Sequence, residues 1–396
     1  MPDDAHDLTR RDFLKVAGAG ALAAAAFGQT DFAGAADLDP EKKIRIGVVG
    51  GGFGAAFQWH LDPNCIVEAV SDLRPDRLAH LKNTYKCDKG YESLEKLVLD
   101  PNIDAVAVFT EAPNHVRHCV EVMNHDKHCI CAVPVGCTLE ELQLLKETKE
   151  RTGLKYMMAE TSYYRAPTML ARELWQDGKF GGFLYSEVEY YHNNIGRADD
   201  ALSMLGDKRT WRYGYPPMLY PTHATCFHVG VTGERLTHVS CIGWGDDEPA
   251  LKDNAYGSPF ANQSALARTS GGNICRFNVF WRVEAEGERA QWLGEKMSMY
   301  MAGYGDRPFK VVAPGQPPIT APPNYLHLLP EAMRHDTGHG NSHGFLTHEF
   351  IAALVEDREP AVDLYESIAM TAPGIVAMES SRRGGEQLPV PDFDRK

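Results

Sequence analysis

The sequence predicts an α/β chain of two domains. Residues 43–160 should form a doubly wound parallel sheet, and residues 161–385 an α+β domain with a mostly antiparallel sheet. Three observations carry this. Short, nearly continuous apolar runs alternate with helical patterns from Lys43 to Ala159. After Glu160 the runs alternate in polarity and are joined by Gly-containing turns such as Ser270-Gly271-Gly272. A length of 396 residues suffices for two full cores.

Residues 1–36 stand outside this fold. Thr9-Arg10-Arg11-Asp12-Phe13-Leu14-Lys15 is a twin-arginine pattern, followed by an Ala/Gly-rich run from Val16 to Phe27 and a cleavage candidate at Ala33-Gly34-Ala35. The run is too short and too Gly-rich for a stable membrane anchor. The expectation is a periplasmic or extracellular protein that folds before export.

In the first domain, strands are expected at 44–49, 66–72, 105–110, 128–132 and 155–159, apolar throughout because helices cover both faces. Helical spacing appears at 93–99, 115–125 and 138–153, where Thr138 and Glu141 form a capping box and Gly153 marks the stop. The second domain should open with a helix over 169–181. Strands follow at 184–192, 237–244, 262–270, 273–283, 289–294 and 296–301. A Pro-rich segment from Pro308 to Pro323 then wraps the surface or lines the site, and helices at 345–357 and 365–381 close the chain, the second interrupted at Pro373-Gly374.

A net charge of −14 speaks against a nucleic-acid partner, which demands a basic face, and favours a small neutral or polar substrate. The nine cysteines include no C-x-x-C pair. Free thiols are expected, with any disulfide unassignable.

The chemistry begins at Ile44-Arg45-Ile46-Gly47-Val48-Val49-Gly50-Gly51-Gly52-Phe53-Gly54-Ala55. This places Gly50-x-Gly52-x-x-Ala55 after a strand and at an expected helix start, where a pyrophosphate can approach the backbone at the helix's positive end. Gly50, Gly52, Phe53 and Gly54 are therefore candidate cofactor contacts. Asp72 ends the next strand, twenty residues after Gly52, where a carboxylate binds the adenosine ribose hydroxyls and disfavours the extra phosphate of NADP. NAD is the expected cofactor, with Arg74 leaving room for NADP. The following strand ends in Thr110-Glu111-Ala112-Pro113-Asn114-His115 at the ligand-binding edge, which adds Thr110, Asn114 and His115.

With these features in order, the chain resembles the glucose-fructose oxidoreductase / inositol dehydrogenase / MocA family over roughly residues 43–385. The resemblance implies an N-terminal Rossmann domain, a C-terminal α+β domain with a large open sheet, NAD(P), and a sugar or polyol substrate. It also suggests a homo-oligomer formed through that sheet. Typical members have Glu-Lys-Pro where this chain has Ala132-Val133-Pro134, and an Asp and a His where it has Pro221 and Thr225. One branch, resembling the NAD-dependent glycoside hydrolase family 109, carries Val-Pro at that turn. Val133-Pro134, Glu160-Thr161-Ser162-Tyr163-Tyr164, Tyr220-Pro221-Thr222-His223 and Gly338-His339-Gly340-Asn341 match its segments in part, with Thr161 and Asn341 as departures. Val133 and Pro134 are thus expected at the nicotinamide edge.

That branch implies a cycle of transient oxidation by NAD, elimination of the glycosidic leaving group, water addition and re-reduction. It needs one group for a hydroxyl proton and one for a carbon acid. His223 is the expected base, since an imidazole titrates near working pH. Tyr164 and Tyr220 would act with their pKa lowered, Arg165 being a cation at hand. The alternatives make His223 a helix-capping histidine and the tyrosines core or sugar-stacking aromatics. His335, His339, His343 and His348 recur near intervals of four, but Gly338, Gly340 and Gly344 argue against a helical metal face. A loop offering His339 to substrate hydroxyls is expected instead, with no metal. Two other readings stay open: a conventional sugar or polyol dehydrogenase, and a catalytically silent NAD- or sugar-binding protein.

Overall fold

The computed structural model describes residues 38–395 apart from 246, 304 and 305, so the twin-arginine segment lies outside the described residues. The first domain is a six-stranded parallel sheet of β1 (Ile44–Val49), β2 (Cys65–Ser71), β3 (Gly90–Tyr91), β4 (Ala105–Val108), β5 (His128–Cys131) and β6 (Tyr156–Met158). The order is β3-β2-β1-β4-β5-β6, with every neighbouring pair parallel. Strand order reverses between β1 and β4, which opens a crevice at their C-terminal ends. The apolar runs are buried as expected: all four residues of β4 are inaccessible, and so are Ile46 and Val48 of β1.

Helices α1 (Pro75–Tyr85), α2 (His115–Asn124) and α3 (Leu139–Thr152) flank this sheet. The Thr138–Glu141 capping box is present, and Gly153 closes α3 in the left-handed conformation. The expected helix after β1 is absent. The chain instead makes two 3₁₀ turns, Phe53–Ala56 and Trp59–Leu61, with Gln58 left-handed between them at φ 56°. Phe57 and Trp59 are fully buried on either side of Gln58. Anchoring both rings in the core requires a bend that a continuous helix cannot make. The positive end of a long helix is therefore unavailable to a pyrophosphate here, and bare amides of the turn must serve.

The second domain begins with α4 (Ala166–Gln176). Its sheet comprises β7 (Phe183–Tyr191), β8 (Leu236–Trp244), β9 (Asn262–Thr269), β10 (Ile274–Phe280), β11 (Gly287–Gly294), β12 (Ser298–Tyr300), β13 (Lys310–Val312) and β14 (Leu388–Pro389). The order is β13-β12-β11-β7-β10-β9-β8-β14. All pairs are antiparallel except β7 with β10, which are parallel. Because β14 joins this sheet, the domain runs past residue 385.

Helices α5 (Thr222–Thr232) and α7 (Leu364–Arg382) pack on the inner face of the sheet. Pro373 lies inside α7 without interrupting it, and Asp363 caps its start by accepting from the amides of Tyr365 and Glu366. Gly374 lets α7 press against the turn before α5. A β-carbon there would lie 2.3 Å from the Met218 carbonyl oxygen and 2.4 Å from Pro221. This approach seats the Tyr220–His223 segment.

Helix α6 (Ser342–Val355) ties the domains together. Thr347 donates to the Phe57 carbonyl, His348 Nδ1 lies 2.7 Å from Asp62 Oδ2, and the Met158 amide donates to the Val362 carbonyl. The segment before α6 is thereby held over the glycine turn.

Candidate functional site

The glycine turn is built for close approach. Gly50 has φ +101°, and a β-carbon there would lie 2.1 Å from the Phe109 carbonyl oxygen. Gly51 would clash with the Arg77 carbonyl at 2.5 Å, and Gly54 with the Phe109 ring at 2.9 Å. Gly52 meets nothing nearer than the Arg77 guanidinium at 3.8 Å, so its missing side chain leaves room for a ligand rather than for the protein. The Asp72 carboxylate is oriented by the amides of Gly51 at 2.7 Å and Arg74 at 2.8 Å. Arg74 itself pairs with Asp76. A cradle that side chains would fill, with an oriented carboxylate at the end of β2, fits NAD.

At the adjoining edge, Thr110 and His115 do not divide the work as expected. His115 is buried, its Nδ1 2.7 Å from the Pro134 carbonyl and its Nε2 3.2 Å from the Thr110 carbonyl. Held between these two carbonyls, and able as a neutral ring to donate to one of them, His115 staples the Val133-Pro134 turn to the end of β4. The Val133-Pro134 peptide bond is cis. Thr110 Oγ1 bonds His118, whose pKa is brought down to about 4 by burial and then by Arg117. Asn114 stands half-buried at the start of α2, its amide 3.5 Å from Glu111.

One strand over, the same edge carries a histidine and its carboxylate. The register pairs Cys131 of β5 with Met158 of β6, so Val133 and Glu160 leave the sheet side by side. Glu160 Oε1 lies 2.8 Å from His223 Nδ1 and also accepts from the Ser162 amide at 2.8 Å. Both side chains are buried. Burial opposes charge on either partner, but each offsets that for the other: the His223 pKa is raised above its ordinary value and the Glu160 pKa is lowered. A carboxylate oxygen cannot donate, so Nδ1 must carry the hydrogen, which leaves Nε2 with the lone pair.

Aromatic rings surround this pair. Tyr190 lies 4.7 Å and Tyr220 5.4 Å from the imidazole between centroids, and Trp281 is within 6.2 Å of both. Arg165 donates to Glu288 at 2.5 Å, and Ser162 donates to the other oxygen of Glu288. His339 completes the ring from the segment before α6. It sits left-handed at φ 56°, 3.0 Å from His343 and edge-on to Phe53 of the glycine turn. The cofactor cradle and the His223 cluster thus meet across Phe53 and His339.

Tyr164 does not belong to this cluster. Its ring stacks on Phe345 of α6 in the core, and burial first, then Glu349, pushes its hydroxyl well above the ordinary range. Burial likewise raises Tyr220, against the opposing effect of Arg212. Neither tyrosine has the lowered pKa that a phenolate base requires. The histidine series divides as well: His343 and His348 lie on α6, His348 faces Asp62, and only His339 and His343 touch. Thr225 donates to the Met370 carbonyl and serves the packing of α5 on α7.

Sequence reasoning passed over Tyr190 and Glu288, and quoted Glu160 and Ser162 without a role. A glutamate directly after an apolar buried run was the available signal for Glu160. The others carried none. Among the described residues no group of three or more His, Cys, Asp or Glu side chains is arranged to hold a metal, and no helix is long and apolar enough to cross a membrane.

Comparison with known proteins agrees with this fold. Residues 44–160 match the oxidoreductase family, NAD-binding Rossmann fold, and residues 324–396 match the glycosyl hydrolase 109 C-terminal domain. A glycosyl hydrolase family 109 protein of Solibacter usitatus is 24% identical over 98% of this chain and 97% of the relative. One from Saccharopolyspora erythraea is 22% identical over 90% and 85%. Among solved structures, levoglucosan dehydrogenase in complex with NADH and levoglucosan superposes with a TM-score of 0.74 at 16% identity, covering 89% of this chain and 100% of that one. The scyllo-inositol dehydrogenase of Lactobacillus casei with NAD(H) and scyllo-inositol gives 0.68 at 16%, covering 88% and 99%.

Proposed function

We propose that this chain, whose residues 44–160 match the oxidoreductase family, NAD-binding Rossmann fold, and whose residues 324–396 match the glycosyl hydrolase 109 C-terminal domain, cleaves or modifies a glycoside by transient oxidation. Bound NAD would supply the reversible oxidation of a ring carbon. Everything else falls to side chains of the second domain and the edge of the first. His223 Nε2 takes the proton from the sugar. Glu160 holds Nδ1 as a donor and stabilises the imidazolium that results, as a buried carboxylate does beside any histidine base. Tyr220 and Tyr190 offer ring faces and hydroxyls to the sugar, and His339 and Arg165 hold its hydroxyl groups. Gly52, Gly54, Phe53, Asp72, Thr110, Asn114, Val133 and Pro134 line the cofactor side.

The observation that carries this reading is the Glu160–His223 pair, placed beside a turn that has Val133 where the related dehydrogenases have a lysine. Proton transfer supplied from the other side of the site favours this reading over a catalytically silent protein. Aryl glycosides and free sugars supplied to the NAD-loaded enzyme decide among the readings. Aglycone release without net NADH is expected. Lasting NADH from a free sugar would instead establish a conventional dehydrogenase, and bound sugar with neither product a binding protein.

The twin-arginine segment and the preformed cofactor cradle together support export of the folded, loaded protein to the periplasm or beyond. The outer face of the sheet exposes Ile242, Trp244 and Leu266. Cover by a second copy of the chain would remove that apolar stripe from water.

A further inference from the structure

Glu288 stands on β11 opposite Tyr190 of β7, so the antiparallel register presents both side chains to His223 from the inner face of the sheet. Its side chain is only 5% exposed, and both carboxylate oxygens are engaged, one by Arg165 at 2.5 Å and the other by the Ser162 hydroxyl. The same Ser162 oxygen lies 3.4 Å from His223 Nδ1. A hydroxyl has one hydrogen. If Ser162 gave it to His223, the ring would carry its own proton on Nε2, and its Nδ1 lone pair would face the Glu160 oxygen at 2.8 Å. By taking that hydrogen, Glu288 leaves Ser162 able only to accept from Nδ1–H.

We propose that Glu288 is a positioning residue of the site: held by Arg165 and taking the Ser162 hydrogen, it makes Ser162 a second acceptor, beside Glu160, for the Nδ1–H of His223, so that Nε2 is left to receive a substrate proton. Glu288 also balances the Arg165 guanidinium, which would otherwise face the imidazole uncompensated. The groups around the ring are Glu160 beyond β6, Arg165 before α4, Glu288 on β11, Tyr190 on β7, Tyr220 and Cys226 around α5, and His339 before α6, with Arg212 behind Tyr220 and Tyr190. Glu160 and Glu288 favour the protonated ring, and Arg165 opposes them. Removing one carboxylate makes the proton easier to lose.

The functional consequence rests on the reading of His223 as the base, but the test does not. The full-length protein is labelled with nitrogen-15 at histidine, and His223 is assigned by its disappearance in H223N. Its two ring nitrogens are then followed through a pH titration without any glycoside. In the parent protein Nδ1 should remain protonated throughout while Nε2 titrates. In E288Q the midpoint should fall by about one pH unit, the usual effect of one neighbouring charge, while Glu160 keeps the neutral ring in the Nδ1–H form. S162A, which keeps the Glu288–Arg165 pair but removes the second acceptor of Nδ1–H, should lower the midpoint by less and leave the tautomer as it is. An S162A protein with an unchanged midpoint overturns the proposal whatever E288Q does, including if E288Q fails to fold. A residue that merely supports the fold would lower the melting temperature without moving the titration. A titration that behaves as expected in an enzyme that releases no aglycone refutes the glycoside reading and leaves this one standing.

Discussion

Glu160 Oε1 and His223 Nδ1 lie 2.8 Å apart with both side chains buried, and that contact decides which ring nitrogen is available to a substrate. Replacing the carboxylate by an amide tests it with least change of shape. E160Q can donate its NH₂ to Nδ1, inverting the tautomer, so kcat/KM should fall by ~10²–10⁴, the range ascribed to general-base catalysis. NAD affinity should stay within a factor of two or so of the parent, since Glu160 is absent from the glycine cradle. H223A should lose turnover to a similar extent and also stability. It strands a buried carboxylate, at a cost of roughly 3–5 kcal/mol in urea unfolding. Full activity in E160Q would remove the pair from the mechanism.

The same pair should separate the pH of greatest stability from the pH of greatest activity. The folded-state pKa of His223 is raised above 6.5, so its contribution to stability is complete below 6.5 and is lost as the pH climbs through the raised value. Glu160 is held below 4.5, so its contribution is present above 4.5 and is lost as the pH falls through the lowered value. Together they stabilise the fold best between 4.5 and 6.5. The neutral base exists only above the raised His223 value. Thermal melts and initial rates measured across pH should show kcat/KM rising on a limb centred above 6.5, while the melting temperature already declines. An activity limb centred at or below 6.5 contradicts the assignment of His223.

Gly50 and Gly52 should fail in different ways. G50A forces a β-carbon to within 2.1 Å of a carbonyl oxygen at φ +101° and should destabilise the first domain outright, by several kcal/mol or by loss of soluble protein. G52A meets only the flexible end of Arg77 at 3.8 Å and should melt normally. Its NAD affinity, by calorimetry, should drop about tenfold or more, the equivalent of ~1.4 kcal/mol. Normal NAD binding in G52A would place the pyrophosphate elsewhere.

The two tyrosines should be unequal as well. Y220F removes a hydroxyl from the group around His223 and should lower kcat/KM by about tenfold, the worth of one hydrogen bond to a sugar. Y164F changes a ring stacked on Phe345 away from that cluster, so its effect should appear in thermal stability and leave turnover within about threefold. The reverse ranking would return Tyr164 to the site.

Much of this protein is local, and local features are legible in a sequence. The apolar runs of the parallel sheet, the Thr138–Glu141 capping box, the Gly50–Gly52 turn and Asp72 at the end of β2 each depend on residues a few positions apart or on one strand's burial. Their physics is contained in the segment that shows them. His223 and Glu160 were both visible as residue types, but the bond between them spans 63 positions and depends on tertiary packing, including the close approach of α7 at Gly374 to the turn before His223. Glu288 was hidden more completely. The expected strand began at residue 289, and only the pairing of β11 with β7 shows that Glu288 stands beside Tyr190 and faces inward. The helix expected after β1 failed for a related reason, because burying Phe57 and Trp59 in the tertiary core outweighs the regular helix that the glycine motif suggests. The sequence by itself determined the cofactor domain, because its signals are short-range. The direction of every polar group around His223 was decided by tertiary packing, because hydrogen-bond direction depends on which neighbours the fold brings within 3 Å or so.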